Sequence, residues 1–224
     1  MRYENIMLPL YLDLSDKRII VFGGGSVAER KIGQILELSG DTKQGALTVD
    51  IYSLDFTARI EELCAARTVH CFQCDLWDQD LRALVEGAFL ILICTHDETL
   101  NKHIFREVRT CDALINYSDR GDTFMSSVIK RGELIISIST GGKAPAMARY
   151  MREKISALLR DEEEKMLYVQ NYLREQFKDK LSDSESRRAI LTDVLNDSDC
   201  WAALAAPPDV AKERILKIIE ERYA

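Results

Sequence analysis

The stretch Val21-Phe-Gly-Gly-Gly-Ser-Val-Ala-Glu-Arg-Lys31 has the residue types and spacing to hold a phosphate. It contains G-x-G-x-x-A at Gly23, Gly25 and Ala28. Gly23 permits a tight turn, Gly25 lets the backbone approach a pyrophosphate closely, and Ala28 lets a helix pack near a strand. The first N–H groups of such a helix point toward the phosphates and carry partial positive charge. The motif has meaning only between a strand and a helix. Here the apolar Arg18-Ile-Ile-Val-Phe22 precedes it, and residues 26–38 follow with apolar side chains at Val27, Ile32, Ile35 and Leu36. That spacing predicts a helix packed on a sheet. A glycine-rich turn without a ligand is the alternative. The flanking elements favour a dinucleotide held by Gly23, Gly24, Gly25, Ser26 and Val27.

Two further positions belong to this chemistry. The second predicted strand, 47–52, leads into Ser53-Leu54-Asp55. An acidic residue there accepts from the adenosine ribose and favours NAD over its phosphorylated form. Asp55 is the candidate, displaced from the usual spacing by the long 40–45 stretch; its alternative is an ordinary loop aspartate. Phe89-Leu-Ile-Leu-Ile-Cys94 is continuously apolar, as expected of a central parallel strand buried on both faces. Thr95 and Asp97 follow its C-terminal end, where open α/β sheets bind cofactors.

The elements that must position these residues alternate through the first two-thirds of the chain, as in an α/β sheet. Helices are expected over 56–67, 81–86 and 98–109, and strands over 69–72 and 113–116. The pattern then changes. Residues 124–130 and 133–139 read as two strands joined by a tight turn at Arg131-Gly132. From 144 onward the chain reads as helix over 144–159, 161–177, 184–195 and 209–223, the last begun by Pro207-Pro208.

Composition narrows the function. The chain has 224 residues, 46% hydrophobic, with net charge −7. The acidic balance argues against a nucleic-acid binder. No apolar run reaches the ~18 residues of a membrane span. Residues 1–10 contain Glu4 and Pro9 and lack a secretory apolar centre, so a cytoplasmic location is expected. The six cysteines then read as reduced thiols. Only Cys71 and Cys74, beside His70, have metal-type spacing, and no second pair accompanies them. No metal site is expected.

Several blocks resemble the precorrin-2 dehydrogenases, which also form the N-terminal module of larger sirohaem synthases. These are Leu8-Pro-Leu-Tyr-Leu-Asp-Leu-Ser-Asp-Lys17, the glycine block, Thr95-His-Asp-Glu-Thr-Leu-Asn101 and Asn116-Tyr-Ser-Asp119. The more particular ones are Ile136-Ser-Ile-Ser-Thr-Gly-Gly-Lys-Ala-Pro145 and Ala148-Arg-Tyr-Met-Arg-Glu-Lys154. The resemblance runs in order from about residue 8 to 158. It implies a Rossmann-type parallel-sheet NAD domain (1–113), a small central dimerisation region (114–148) and a C-terminal helical region (149–224). It also implies oxidation of precorrin-2 to sirohydrochlorin with reduction of NAD, in a homodimer. Some family members insert iron as well, so ferrochelatase activity is a second activity to test. Two departures are Ser126, where the family commonly has proline, and a short Arg120-Gly121-Asp122 loop.

Asp119 matches the family's catalytic aspartate position and is the candidate base. On residues alone it reads as a turn-capping aspartate. The many carboxylates of the tetrapyrrole need local positive charge. Arg30, Lys31, Arg120, Lys143, Arg149 and Arg152 are the candidates, although each alone reads as a solvated charge. Two other functions stay open: a dehydrogenase of another substrate, and an NAD-binding sensor module without turnover.

Overall fold

The computed structural model describes residues 8–40, 47–118, 121–181 and 183–223. Two compact units divide the chain: Met1–Ser126 with Ser139–Pro145, and Ser127–Ile138 with Ala146–Ala224.

The first unit is built on five parallel strands: β1 (Arg18–Phe22), β2 (Thr48–Ser53), β3 (His70–Gln73), β4 (Leu90–Ile93) and β5 (Leu114–Asn116). Their order is β3-β2-β1-β4-β5. β1 therefore pairs with β2 on one side and β4 on the other, and the chain crosses over between β3 and β4. Two-residue periodicity divides the central strands between two cores. Ile19, Val21, Leu90 and Leu92 face one; Ile20, Phe22, Ile91 and Ile93 face the other. Both cores are apolar because helices cover both faces. Helices α1 (Ser26–Ser39) and α2 (Ala58–Ala65) supply Ile32, Ile35 and Ile60 to the first. Helices α3 (Leu81–Leu84) and α4 (Glu98–Val108) supply Leu81, Ile104 and Val108 to the second. β5 belongs to the same sheet, which therefore runs past residue 113.

The inward face of α1 differs from the expected one. Ala28, Lys31, Ile32 and Ile35 are buried, whereas Val27 is 46% exposed. Their spacing of three, four and seven residues is one helical stripe, and Val27 falls beside it.

The second unit opens with an antiparallel pair, β6 (Ser127–Arg131) and β7 (Leu134–Ile138). Arg131 pairs with Leu134, so the turn is Gly132-Glu133, with Gly132 in the left-handed region at φ 54°. A glycine at this position suits the twist of a two-residue hairpin. Helices α5 (Pro145–Leu158), α6 (Asp161–Lys180), α7 (Ser184–Asn196), α8 (Ser198–Ala203) and α9 (Pro208–Tyr223) follow. Met166, Val169, Leu173 and Phe177 of α6 pack with Ala211, Ile215 and Ile219 of α9 in a separate core. The Asn171 amide donates to the Glu133 carboxylate at 2.8 Å, joining the hairpin to α6. Element bounds otherwise lie within a few residues of expectation. The exceptions are α8 and a 3-10 turn at Leu76–Asp78, neither of which has enough length to show a period.

Candidate active site

The glycine loop sits where β1 ends and α1 begins, at the point where the sheet order turns from β1 toward β4. Each glycine there has its own reason. Gly23 has φ 107°, and a Cβ on it would lie 2.8 Å from the Cys94 carbonyl and the Thr95 nitrogen. A Cβ on Gly24 would lie 2.3 Å from the Asp55 carbonyl oxygen. These two glycines let the loop press against the ends of β4 and β2. Gly25 is different: a Cβ there meets nothing within 4 Å. It is the N-cap of α1, and no side chain caps it. An open space bounded by bare helix N–H groups is what a pyrophosphate requires. The residues present therefore fit a dinucleotide. Ser26 and Val27, the first residues of α1, are exposed beside this space.

The end of β2 lies next to it. Ser53 is the last strand residue, half-buried, and its carbonyl accepts from the Cys74 N–H at 3.0 Å. The Leu54 carbonyl accepts from the Gln73 side chain at 2.9 Å. Asp55 is exposed, two residues beyond the strand. Its backbone against Gly24 puts it beside the glycine loop, where a ribose reader belongs.

Across the crevice, Thr95 is fixed by Asn101, a residue the sequence reading did not single out. The Asn101 amide oxygen accepts from the Thr95 N–H at 3.1 Å and lies 2.7 Å from its hydroxyl. The Asn101 Nδ2 donates to the Thr95 carbonyl at 2.9 Å. Asp97 spends one carboxylate oxygen on the N–H groups of Thr99 and Leu100, at 2.7 and 3.2 Å, as the N-cap of α4. The two contributions differ in size. Asn101→Ala leaves part-buried main-chain groups of Thr95 without these partners and is expected to cost about 2 kcal/mol of stability. Asp97→Ala removes a helix cap and is expected to cost about 1 kcal/mol. Urea unfolding of the two variants measures the difference.

The cationic candidates separate. Arg30 and Lys143 are exposed in the first unit. Lys143 follows Gly141 and Gly142, both in the left-handed region at φ 60° and 75°. Arg149, in the second unit, is exposed and forms an i,i+4 ion pair with Glu153 at 3.0 Å. Lys31 faces inward: it is 9% exposed, and its ammonium lies 2.6 Å from the Asn116 amide oxygen. Its burial removes it from the surface where a substrate carboxylate would meet it. Asp119 and Arg120 lie outside the described residues.

Cys71 packs with one core of the sheet and Cys74 with the other, so the pair faces opposite sides. Burial, with a hydrogen bond that the Cys71 thiol donates to Cys64, pushes that thiol up to about 12. Among the described residues, no three His, Cys, Asp or Glu side chains converge.

Fold and site together fit a dinucleotide-binding α/β protein with a helical C-terminal unit. Residues 10–127 match a family described as putative NAD(P)-binding, and residues 131–158 match the sirohaem biosynthesis protein central family. A precorrin-2 dehydrogenase of Methanosarcina barkeri is 38% identical over 223 residues, covering 98% of this chain and 96% of that protein. A siroheme synthase of Klebsiella pneumoniae is 30% identical over 184 residues, or 81% of this chain and 37% of that protein. The solved structure of SirC, a precorrin-2 dehydrogenase, superposes with a TM-score of 0.73 at 22% identity, over 96% of this chain and all of that one, and so shares the fold. The chain belongs to the precorrin-2 dehydrogenase family.

Proposed function

We propose that this protein oxidises precorrin-2 to sirohydrochlorin with reduction of NAD, in sirohaem biosynthesis. The observation that carries the reading is near-full-length similarity to a precorrin-2 dehydrogenase, in a chain whose Gly25 cradle is open and uncapped. NAD, when bound, supplies the hydride acceptor. Gly23, Gly24, Gly25, Ser26 and Val27 would hold its pyrophosphate; Ser53, Leu54 and Asp55 its adenosine end; Thr95 and Asp97 border the crevice beyond. Removing a hydride from a saturated carbon leaves a proton to be taken up, and Asp119 is the base in this reading. Arg30, Arg120, Lys143 and Arg149 would receive the substrate's carboxylates.

Asp55 favours NAD over NADP here, because its carboxylate accepts from a ribose hydroxyl and repels a 2′-phosphate. Asp55→Ala is expected to lower the NAD-over-NADP ratio of kcat/KM at least tenfold. An unchanged ratio would remove Asp55 from cofactor selection.

A cytoplasmic homodimer, with no nucleic-acid or membrane partner, completes the proposal. Among the described residues no helix is long and apolar enough to cross a membrane. The β6–β7 sheet has only two strands, and Leu134, Ile135 and Ile136 on it are only half-buried. A short two-stranded hairpin with half-buried apolar side chains suits packing against a second copy. In this reading the sheet unit binds NAD, the hairpin region makes the dimer and the C-terminal helices serve the substrate. Light scattering should give twice the 25.5 kDa chain mass.

The deciding experiment is anaerobic: purified protein, enzymatically made precorrin-2 and NAD, followed by NADH and sirohydrochlorin absorbance. NAD-dependent conversion is expected. NAD binding without turnover would favour a sensor module or another substrate. Repeating the assay with ferrous or cobaltous ion tests for metal insertion.

A further inference from the structure

Lys31 is an unusual residue to find on the core-facing stripe of α1, between Ala28, Ile32 and Ile35. Its described partners are neutral. The ammonium lies 2.6 Å from Asn116 Oδ1, and the thiol in its surroundings, Cys94 after β4, is uncharged because burial pushes its pKa up. Taking an ammonium out of water for an amide and a thiol is unfavourable, and an apolar side chain of similar length would pack there at lower cost. Packing therefore does not account for a lysine at this position. What it holds does.

Asn116 is the last residue of β5 and is 4% exposed. With its oxygen fixed by Lys31, its Nδ2 is aimed at Thr123, donating to the carbonyl at 2.8 Å. Thr123 in turn donates its N–H to the Ile115 carbonyl at 3.1 Å. Asp122 accepts the Ile115 N–H at 3.1 Å, and the Gly121 N–H donates to the Tyr117 carbonyl at 3.1 Å. The chain that leaves β5 at Tyr117 is thus clamped back onto the same strand by residue 123. Gly121 to Thr123, which follow Asp119 and Arg120 in the sequence, are the residues held in this way.

We infer that Lys31 is a positioning residue: by orienting Asn116 it holds Gly121 to Thr123, the residues that follow the proposed base in the sequence, against the end of β5. The inference rests on the reading of Asp119 given above. Lys31 touches neither NAD nor substrate in this scheme.

The test compares Lys31→Met, Asn116→Ala and the double variant in the full-length protein. Amide hydrogen exchange reads the clamp directly. The Gly121 and Thr123 amides should exchange at least tenfold faster in each single variant, while the Gly23 amide, bonded to the Tyr52 carbonyl in the sheet, keeps its protection. The kcat for precorrin-2 oxidation should fall ten- to a hundredfold, with KM and NAD affinity within threefold of wild type. The double variant should be no worse than the worse single one, because both act through one link. Lys31→Gln, which keeps a donor without the charge, should restore part of the loop protection.

Loop amides as protected as in wild type, or losses of kcat that multiply in the double variant, would overturn the inference. So would a uniform loss of protection across the sheet, which marks a merely structural role. If Lys31→Met does not fold, Asn116→Ala and Lys31→Gln report on the same link. If the wild-type protein does not turn over precorrin-2, the functional proposal fails on its own, and the exchange measurements still decide whether Lys31 holds the loop.

Discussion

Gly25→Val is expected to weaken NAD binding at least a hundredfold, about 2.7 kcal/mol, while the protein stays folded. The backbone at Gly25 has φ −86° and ψ −173°, which any residue can adopt. A Cβ there collides with none of the described residues. The added side chain would instead fill the space in front of the α1 N–H groups, where phosphate oxygens must come. Valine is a poorer N-cap than glycine, which costs up to about 1 kcal/mol and should lower the melting temperature by no more than about 4 °C. The neighbouring glycine should behave differently. Gly24→Ala drives a Cβ into the Asp55 carbonyl at 2.3 Å and the Phe56 ring at 2.7 Å, so it should lose stability together with binding. Calorimetric titration with NAD beside thermal melts separates the two patterns. Full NAD affinity in Gly25→Val would refute the phosphate cradle.

Asp119→Asn is the second large effect. Asparagine keeps the size and one acceptor oxygen of aspartate but cannot take up a proton at neutral pH. General-base assistance contributes about 10²–10⁴-fold, so kcat should fall by that factor. The residue is not assigned to the cofactor, so the dissociation constant for NAD should change less than twofold. Steady-state kinetics and NAD titration on one preparation measure both. Wild-type turnover in the variant would place the base elsewhere. A parallel loss of NAD affinity would make Asp119 part of the cofactor site.

Much of this arrangement could be read from residue patterns, and the parts that could not share a physical cause. β1 and β4 announce themselves as continuous apolar runs because both of their faces are covered. The glycine motif is local, so its strand–turn–helix setting follows from a dozen residues. Lys31 shows where such reading stops. A lysine is assigned to the surface by its charge, and its place three residues after Ala28 and one before Ile32 was the contrary signal. Asn101 and Asn116 were passed over for a related reason. Their value lies in the main-chain and side-chain groups that folding brings to them, Thr95 for one and Lys31 with Thr123 for the other. Neither partner set has a sequence spacing to notice. Ser53, Leu54 and Asp55 lay further from the glycines than the usual interval, and strand pairing restored the proximity by setting Phe22 beside Tyr52.

The return loop after β5 also bears on how the protein behaves at high concentration. β5 is the last strand on its side of the sheet, and its outer margin would ordinarily offer unpaired main-chain groups to a strand from another molecule. The Ile115 N–H is taken by Asp122, the Ile115 carbonyl by Thr123 and the Tyr117 carbonyl by Gly121. A Cβ on Gly121 would come within 2.4 Å of that Ile115 oxygen, so the covering chain lies as close as glycine allows. The β5 edge of the sheet is thereby covered by the chain that follows it, and the Ile115 main-chain groups on that side are not left as a template for a strand of another molecule.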